Sequence, residues 1–167
     1  MKKLILMVVA LMGITVVSAQ NVMDVAKEAN AALEGKNYVK AAELLEKVIA
    51  DGSLEEDDAI LEQVNSAKKN LPIAYFYTGR LAAAAATKAT DAKVKDAKYA
   101  EAIAVLNTAI EKATLYKNTA VKNNAGRMLG MVYQSQGGSY LTRVTMRRLQ
   151  RSSLRVTRLT RRTQLWL

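Results

Sequence analysis

The sequence predicts an all-α fold of successive amphipathic helices joined by short breaks. Three observations predict it. The chain has 167 residues with a single Pro, and its Ala and Lys content favours helix over strand. Apolar residues recur at i, i+3 and i+4 over successive stretches. The interruptions between those stretches are short and rich in Gly, Asn and Asp. Half the residues are hydrophobic, yet only one is Phe and one is Trp, so the core must come from Ala, Leu, Val and Tyr.

The first helix is expected over about residues 22–34, where Val22, Val25, Ala26, Ala29, Ala32 and Leu33 share a face. Gly35-Lys36-Asn37 breaks it. A second helix over 38–50 aligns Tyr38, Ala41, Ala42, Leu45, Val48 and Ile49, and Asp51-Gly52 ends it, as Gly does at helix C-termini. Ser53 followed by Glu56 reads as a capping box opening a short helix to about Lys69. Pro72 then fits the first turn of a further helix through Tyr75, Leu81 and an Ala stretch. Residues 87–98 are polar and read as an extension or solvated connector. Tyr99 opens a helix carrying Ala102, Ile103, Leu106, Ala109 and Ile110. A last helix over 118–136 places Met128, Leu129, Val132 and Tyr133 on one side, and Gly137-Gly138 reads as a bend after it.

Two of these helices share a pattern, Tyr-x-x-Ala-x-x-x-Leu-x-x-(Ala/Val): Tyr38, Ala41, Leu45, Val48 and Tyr99, Ala102, Leu106, Ala109. This resembles the second helix of a tetratricopeptide repeat, in which small residues let helices approach and a bulky one fills the adjoining groove. Tyr77-Thr78-Gly79-Arg80 and, better, Leu129-Gly130-Met131-Val132-Tyr133 resemble the family's Leu-Gly-x-x-Tyr segment. The resemblance covers about residues 22–136 and implies an all-α fold of antiparallel helix pairs stacked as a short α-solenoid. Tyr38 to Tyr99 exceeds the ~34-residue repeat period, so insertions near 53–69 and 87–98 are implied.

The last 28 residues change chemistry. Before Tyr140 the only arginines are Arg80 and Arg127; after it come eight arginines, no Lys and no acid, and all fifteen acidic residues lie at or before Glu111. Eight of the ten net positive charges belong to this segment. A lost base near Leu141 accounts for the break. In the displaced frame, Leu141 to Arg151 can encode Asn-Ala-Gly-Asp-Tyr-Glu-Lys-Ala-Ala-Glu, and the following codons Val-Phe-Ala-Lys-Gly-Tyr-Ala-Ile-Asn-Pro. That supplies the second helix of a third repeat. Residues 140–167 are therefore expected to be irregular or poorly packed. If the segment is genuine, its arginines suit a polyanion or an anionic membrane surface.

At the other end, Lys2 and Lys3, the apolar run Leu4 to Val17 and the small residues Val17-Ser18-Ala19 have the order of a secretory signal. No Cys follows the run to carry a lipid. The expected organisation is a signal over 1–19, a repeat domain over 20–139 and the arginine-rich tail over 140–167. The expected location is the periplasm or the outside of the cell, with no stable membrane insertion after cleavage and no nucleic-acid partner.

The chain has no His and no Cys, so each familiar catalytic or zinc template lacks a member, and no enzyme activity, metal or cofactor is expected. Glu55-Glu56-Asp57-Asp58 lacks the Gly and alternate spacing of a calcium loop and reads as a helix-capping cluster. What remains is a non-catalytic scaffold for protein–protein interaction. The family resemblance implies that a peptide or protein partner lies in a concave groove lined by first helices. It would touch Asn30, Leu33, Phe76, Arg80, Arg127 and Gln134.

Overall fold

The structure, a computed structural model, describes residues 19–164, with side chains placed for residues 21–151. The expected signal lies, but for Ala19, outside the described residues. Five helices follow in order: α1 (Ala19–Glu34), α2 (Tyr38–Gly52), α3 (Asp58–Lys88), α4 (Ala92–Leu115) and α5 (Thr119–Gln164). The chain is all-α, and no strand occurs among the described residues.

Each junction has a local cause. The α1 C-terminus closes through Lys36 N–H to Leu33 O (3.0 Å) and Asn37 N–H to Ala32 O (2.8 Å), with Lys36 at φ 58°. Asn37 then caps α2, its side-chain oxygen accepting the Lys40 N–H. The same device joins α4 to α5. Lys117 has φ 58°, Asn118 N–H reaches Ala113 O at 2.7 Å, and Asn118 Oδ1 accepts the Val121 N–H at 3.1 Å. A left-handed residue that returns two backbone bonds is the Schellman closure; here Lys occupies the position where Gly is usual.

The acidic cluster acts one residue inside its expected limits. Ser53 closes α2 instead of opening a helix, its hydroxyl donating to the Ile49 carbonyl. Asp57 is the N-cap of α3, accepting from Ala59 N–H (2.8 Å) and Ile60 N–H (3.3 Å). Nor does Pro72 open a helix: α3 runs through it for 31 residues. Proline removes the bond to the Lys68 carbonyl and crowds that turn. Burial outweighs this cost, since Leu71, Pro72 and Ala74 are all inside, and the Asn118 side-chain amide donates a long 3.5 Å bond to the adjacent Lys69 carbonyl. Residues 87–98 divide between the end of α3, a short break, and the first turns of α4, which Asp91 caps through Val94 N–H at 2.9 Å. The helix expected from Tyr99 thus starts at Ala92.

Every helix packs on its successor, and α1 and α5 also both touch α3. The helices therefore form two layers, α1, α3 and α5 in one, α2 and α4 in the other. The core has two parts. Val22, Leu45, Ile60, Val64 and Leu71 fill the first. Tyr99, Leu106, Ala86, Ala125 and Val132 fill the second. Tyr75 packs against both. Small residues set the helix separation. A Cβ on Gly79 would lie 2.7 Å from Leu106 Cγ, and one on Gly52 would lie 2.6 Å from Val64 Cγ2.

The end of the chain departs from expectation. There is no bend at Gly137-Gly138, and the arginine-rich segment is helical to Gln164. Its first turns are attached: Val144 is half-buried, and Arg143 makes a bidentate pair with Asp96 of α4, at 2.8 and 2.9 Å. From Thr145 to Arg151 the side chains are exposed. The last 20 residues of α5 add about 30 Å to its length at the helical rise.

Candidate ligand groove between α3 and α5

The most developed concave surface lies along α3. Tyr38, at the start of α2, stacks on Tyr77 with ring centroids 4.7 Å apart and planes 16° from parallel. Phe76 meets Tyr77 edge-on at 5.4 Å. One turn on, the Arg80 guanidinium sits 5.1 Å from the Tyr77 centroid and 5.9 Å from that of Phe76. Aromatic faces attract the cation electrostatically and hold it against the helix. Among the described residues no carboxylate pairs with Arg80.

Two clefts meet at this arginine. The first, about 480 Å³, runs from Lys36 and Tyr38 past Tyr77 to Leu81 and Ala84. The second, about 280 Å³, lies between α3 and α5, with Arg80, Ala83 and Thr87 on one wall and Met128, Met131 and Ser135 on the other; Tyr99 of α4 forms its floor. Arg80 and Ala84 belong to both. The product is an apolar trough with one unpaired cation at its middle, able to hold an apolar side chain on either side of an acidic one. The larger depression beside Asp58, Glu62 and Lys69 is lined by α3 alone. It is a shallow helix flank with no converging groups.

The structure brings together two of the six residues named from the sequence, Phe76 and Arg80. Leu33 packs into the first core, and Asn30 is exposed on α1 outside both clefts. Arg127 donates to Asn124 at 2.5 Å, and Gln134 is exposed. Each precedes by one residue a groove residue, Met128 or Ser135, which is about 100° around a helix. Tyr38, Tyr77 and Met131 were missed. Tyr38 read as a packing residue of the repeat pattern, and Met131 only as part of a short motif. Their meeting depends on how α2 and α5 lie against α3.

On the other layer, Lys112 of α4 pairs with Glu46 of α2 at 2.8 Å. Burial, followed by the charge and hydrogen bond of Glu46, pushes the Tyr75 hydroxyl well above the ordinary tyrosine range. Asp57 is used as a cap, and among the described residues no three acids converge as a metal site would need. None of the described helices is long and apolar enough to cross a membrane. The chain matches no family model, no curated protein and no solved structure.

Proposed function

We propose that the chain is an exported, non-catalytic scaffold of the tetratricopeptide type. In this reading the α1, α3 and α5 layer takes a peptide or protein segment. The observation that carries it is the unpaired Arg80, fixed on two aromatic rings where two apolar clefts join. The packing order supports the solenoid part. Leu106 in the Tyr-x-x-Ala-x-x-x-Leu pattern of α4 rests on Gly79 of α3, and the two-layer alternation is that of stacked helix pairs. Apolar side chains flanking an acidic one are the segment chemistry such a trough favours. Selection from a displayed peptide library tests this. Acidic-apolar peptides should be enriched on the wild type and lost on Arg80→Glu or Met131→Asp, while Lys47→Glu on α2 keeps them. Equal binding by all three variants would overturn it.

One observation favours a second reading, in which α5 binds a polyanion or an anionic membrane surface. Arg143, Arg147, Arg151, Arg155, Arg158 and Arg162 recur at spacings of four or three along the helix, which places them at neighbouring register positions. Binding of this kind weakens steeply with salt. It requires residues 140–167 to be genuine sequence. The composition break and the repeat motif spelled by the displaced frame support a lost base instead, and the scaffold reading is independent of that segment.

A further inference from the structure

Away from the groove, a second depression of about 570 Å³ lies between α3 and the turn that joins α4 to α5. Its lining is Asn65, Lys68 and Lys69 from α3, and Leu115, Tyr116 and Lys117 from the turn. Asn65, Lys68 and Lys69 stand at i, i+3 and i+4, which puts them on one face of the helix. The turn is held beside them, because the Asn118 amide donates to the Lys69 carbonyl and Tyr116 packs against the first core. Three lysines from two segments therefore border one concavity, and none of its lining residues is acidic. Among the described residues no carboxylate pairs with Lys68, Lys69 or Lys117, whereas Lys112, near the end of α4, is taken by Glu46 at 2.8 Å. Glu62 and Asp58 share a different flank of α3 with Lys69, about 10 Å or more away along the helix at its rise.

We infer that this depression binds a phosphate monoester group. Like charges gathered without a counter-ion repel, and an anion seated among them removes that repulsion. A phosphate monoester offers up to two negative charges and three acceptor oxygens, which suits three cations better than a single carboxylate does. Lysine is a compact charge with three donors on a flexible stem, and the Asn65 amide adds a neutral donor. Lys117 points the same way. It holds φ 58°, where an L residue is strained and glycine is not, yet the turn uses only its backbone. A side chain kept at such a position without serving the turn is accounted for by a use outside it, and Lys117 borders the depression. Leu115 is 66% exposed on the same rim, so an apolar contact is on offer beside the cations, as a lipid phosphate would use. Arg80 lies 11 residues further along α3, about 16 Å at the helical rise. The inference is therefore independent of the groove and of residues 140–167.

The full chain is titrated with inorganic phosphate and, separately, mixed with phosphatidylcholine vesicles with or without an equal part of phosphatidic acid. Amide NMR shifts report the first arm by position, and co-sedimentation reports the second. Lys68→Glu/Lys117→Glu should raise the dissociation constant in the responding arm at least about tenfold. Lys47→Glu/Lys93→Glu makes the same change in net charge at exposed sites elsewhere and should leave it within about twofold. Lys117→Gly should weaken binding about threefold while the protein becomes more stable, a split that a purely structural lysine would not give. Shifts at Asn65 to Lys69 and Leu115 to Asn118 with inorganic phosphate identify free phosphate as a source. Binding confined to the phosphatidic acid vesicles and lost in Lys68→Glu/Lys117→Glu identifies the lipid headgroup. Phosphate shifts confined to the arginines of α5, equal binding by the two double variants, or no binding in either arm overturns the inference.

Discussion

Lys36 and Lys117 each occupy a left-handed backbone position, which costs an L residue with a Cβ roughly 1–2 kcal/mol and glycine far less. Both are exposed, and neither side chain is needed by the turn, whose bonds are all from the backbone and the following Asn. Lys36→Gly and Lys117→Gly should therefore each raise stability, by about 0.5–1 kcal/mol after the greater entropy glycine gives the unfolded chain; thermal or urea melts measure it. Gly79 is the opposite case. An added Cβ would lie 2.7 Å from Leu106 Cγ and 2.8 Å from Cδ2, so Gly79→Ala should destabilise by about 1–3 kcal/mol, the range for overpacking. Tyr75 adds a pH dependence. Its folded pKa is raised, first by burial and then by Glu46. The unfolded chain releases the proton near the ordinary value of 10.0, whereas the folded chain holds it. Stability should fall as pH rises past that value, and Tyr75→Phe should flatten the alkaline limb of a pH–stability curve.

At the scale of elements, the sequence was most legible where periodicity and caps agreed. The limits of α1 and α2 are close to those expected because Gly35 to Asn37 combines a chain reversal with a cap. Pro72 misled because its local penalty is real but smaller than the burial of the turn around it. Ser53 misled because a serine can end a helix as well as start one. The groove was half legible: Phe76 and Arg80 lie on one helix, whereas Tyr38 and Met131 reach them only through tertiary packing. The long α5 was the least legible, since Gly137-Gly138 would break a free helix. Its attachment beyond that point depends on Arg143, which donates to Asp96 and holds that carboxyl below its ordinary value of 3.8. This contribution is present above the ordinary value and is lost as pH falls through the lowered one. Asp96→Asn should speed amide exchange from about Gly137 to Arg151 while leaving residues 119–130 protected, as hydrogen-exchange mass spectrometry reads it. Unchanged exchange would show that the pair holds nothing.

For the whole molecule, the all-α class was legible because it follows from the 3.6-residue period and short breaks. The two-layer order is a consequence of short connections, which leave successive helices antiparallel. The origin of the tail is decided by nucleotides. Sequencing the coding DNA across Ser139 to Arg162 should show an open displaced frame reading near Asn-Ala-Gly-Asp-Tyr. A stop codon there would mean that the arginine helix is genuine, and the polyanion reading would then lead.

Arrays of stacked helix pairs tend to behave as chains of semi-independent links, each free to melt or be cut away from one end. The single helix α3 denies this chain that freedom. Its first half is a wall of one core, its second half a wall of the other, and Tyr75 belongs to both. No link can be excised without opening its neighbour. Strain at one end therefore travels along a shared rod, and a segment held at Arg80, as proposed above, would grip the member on which both halves are built.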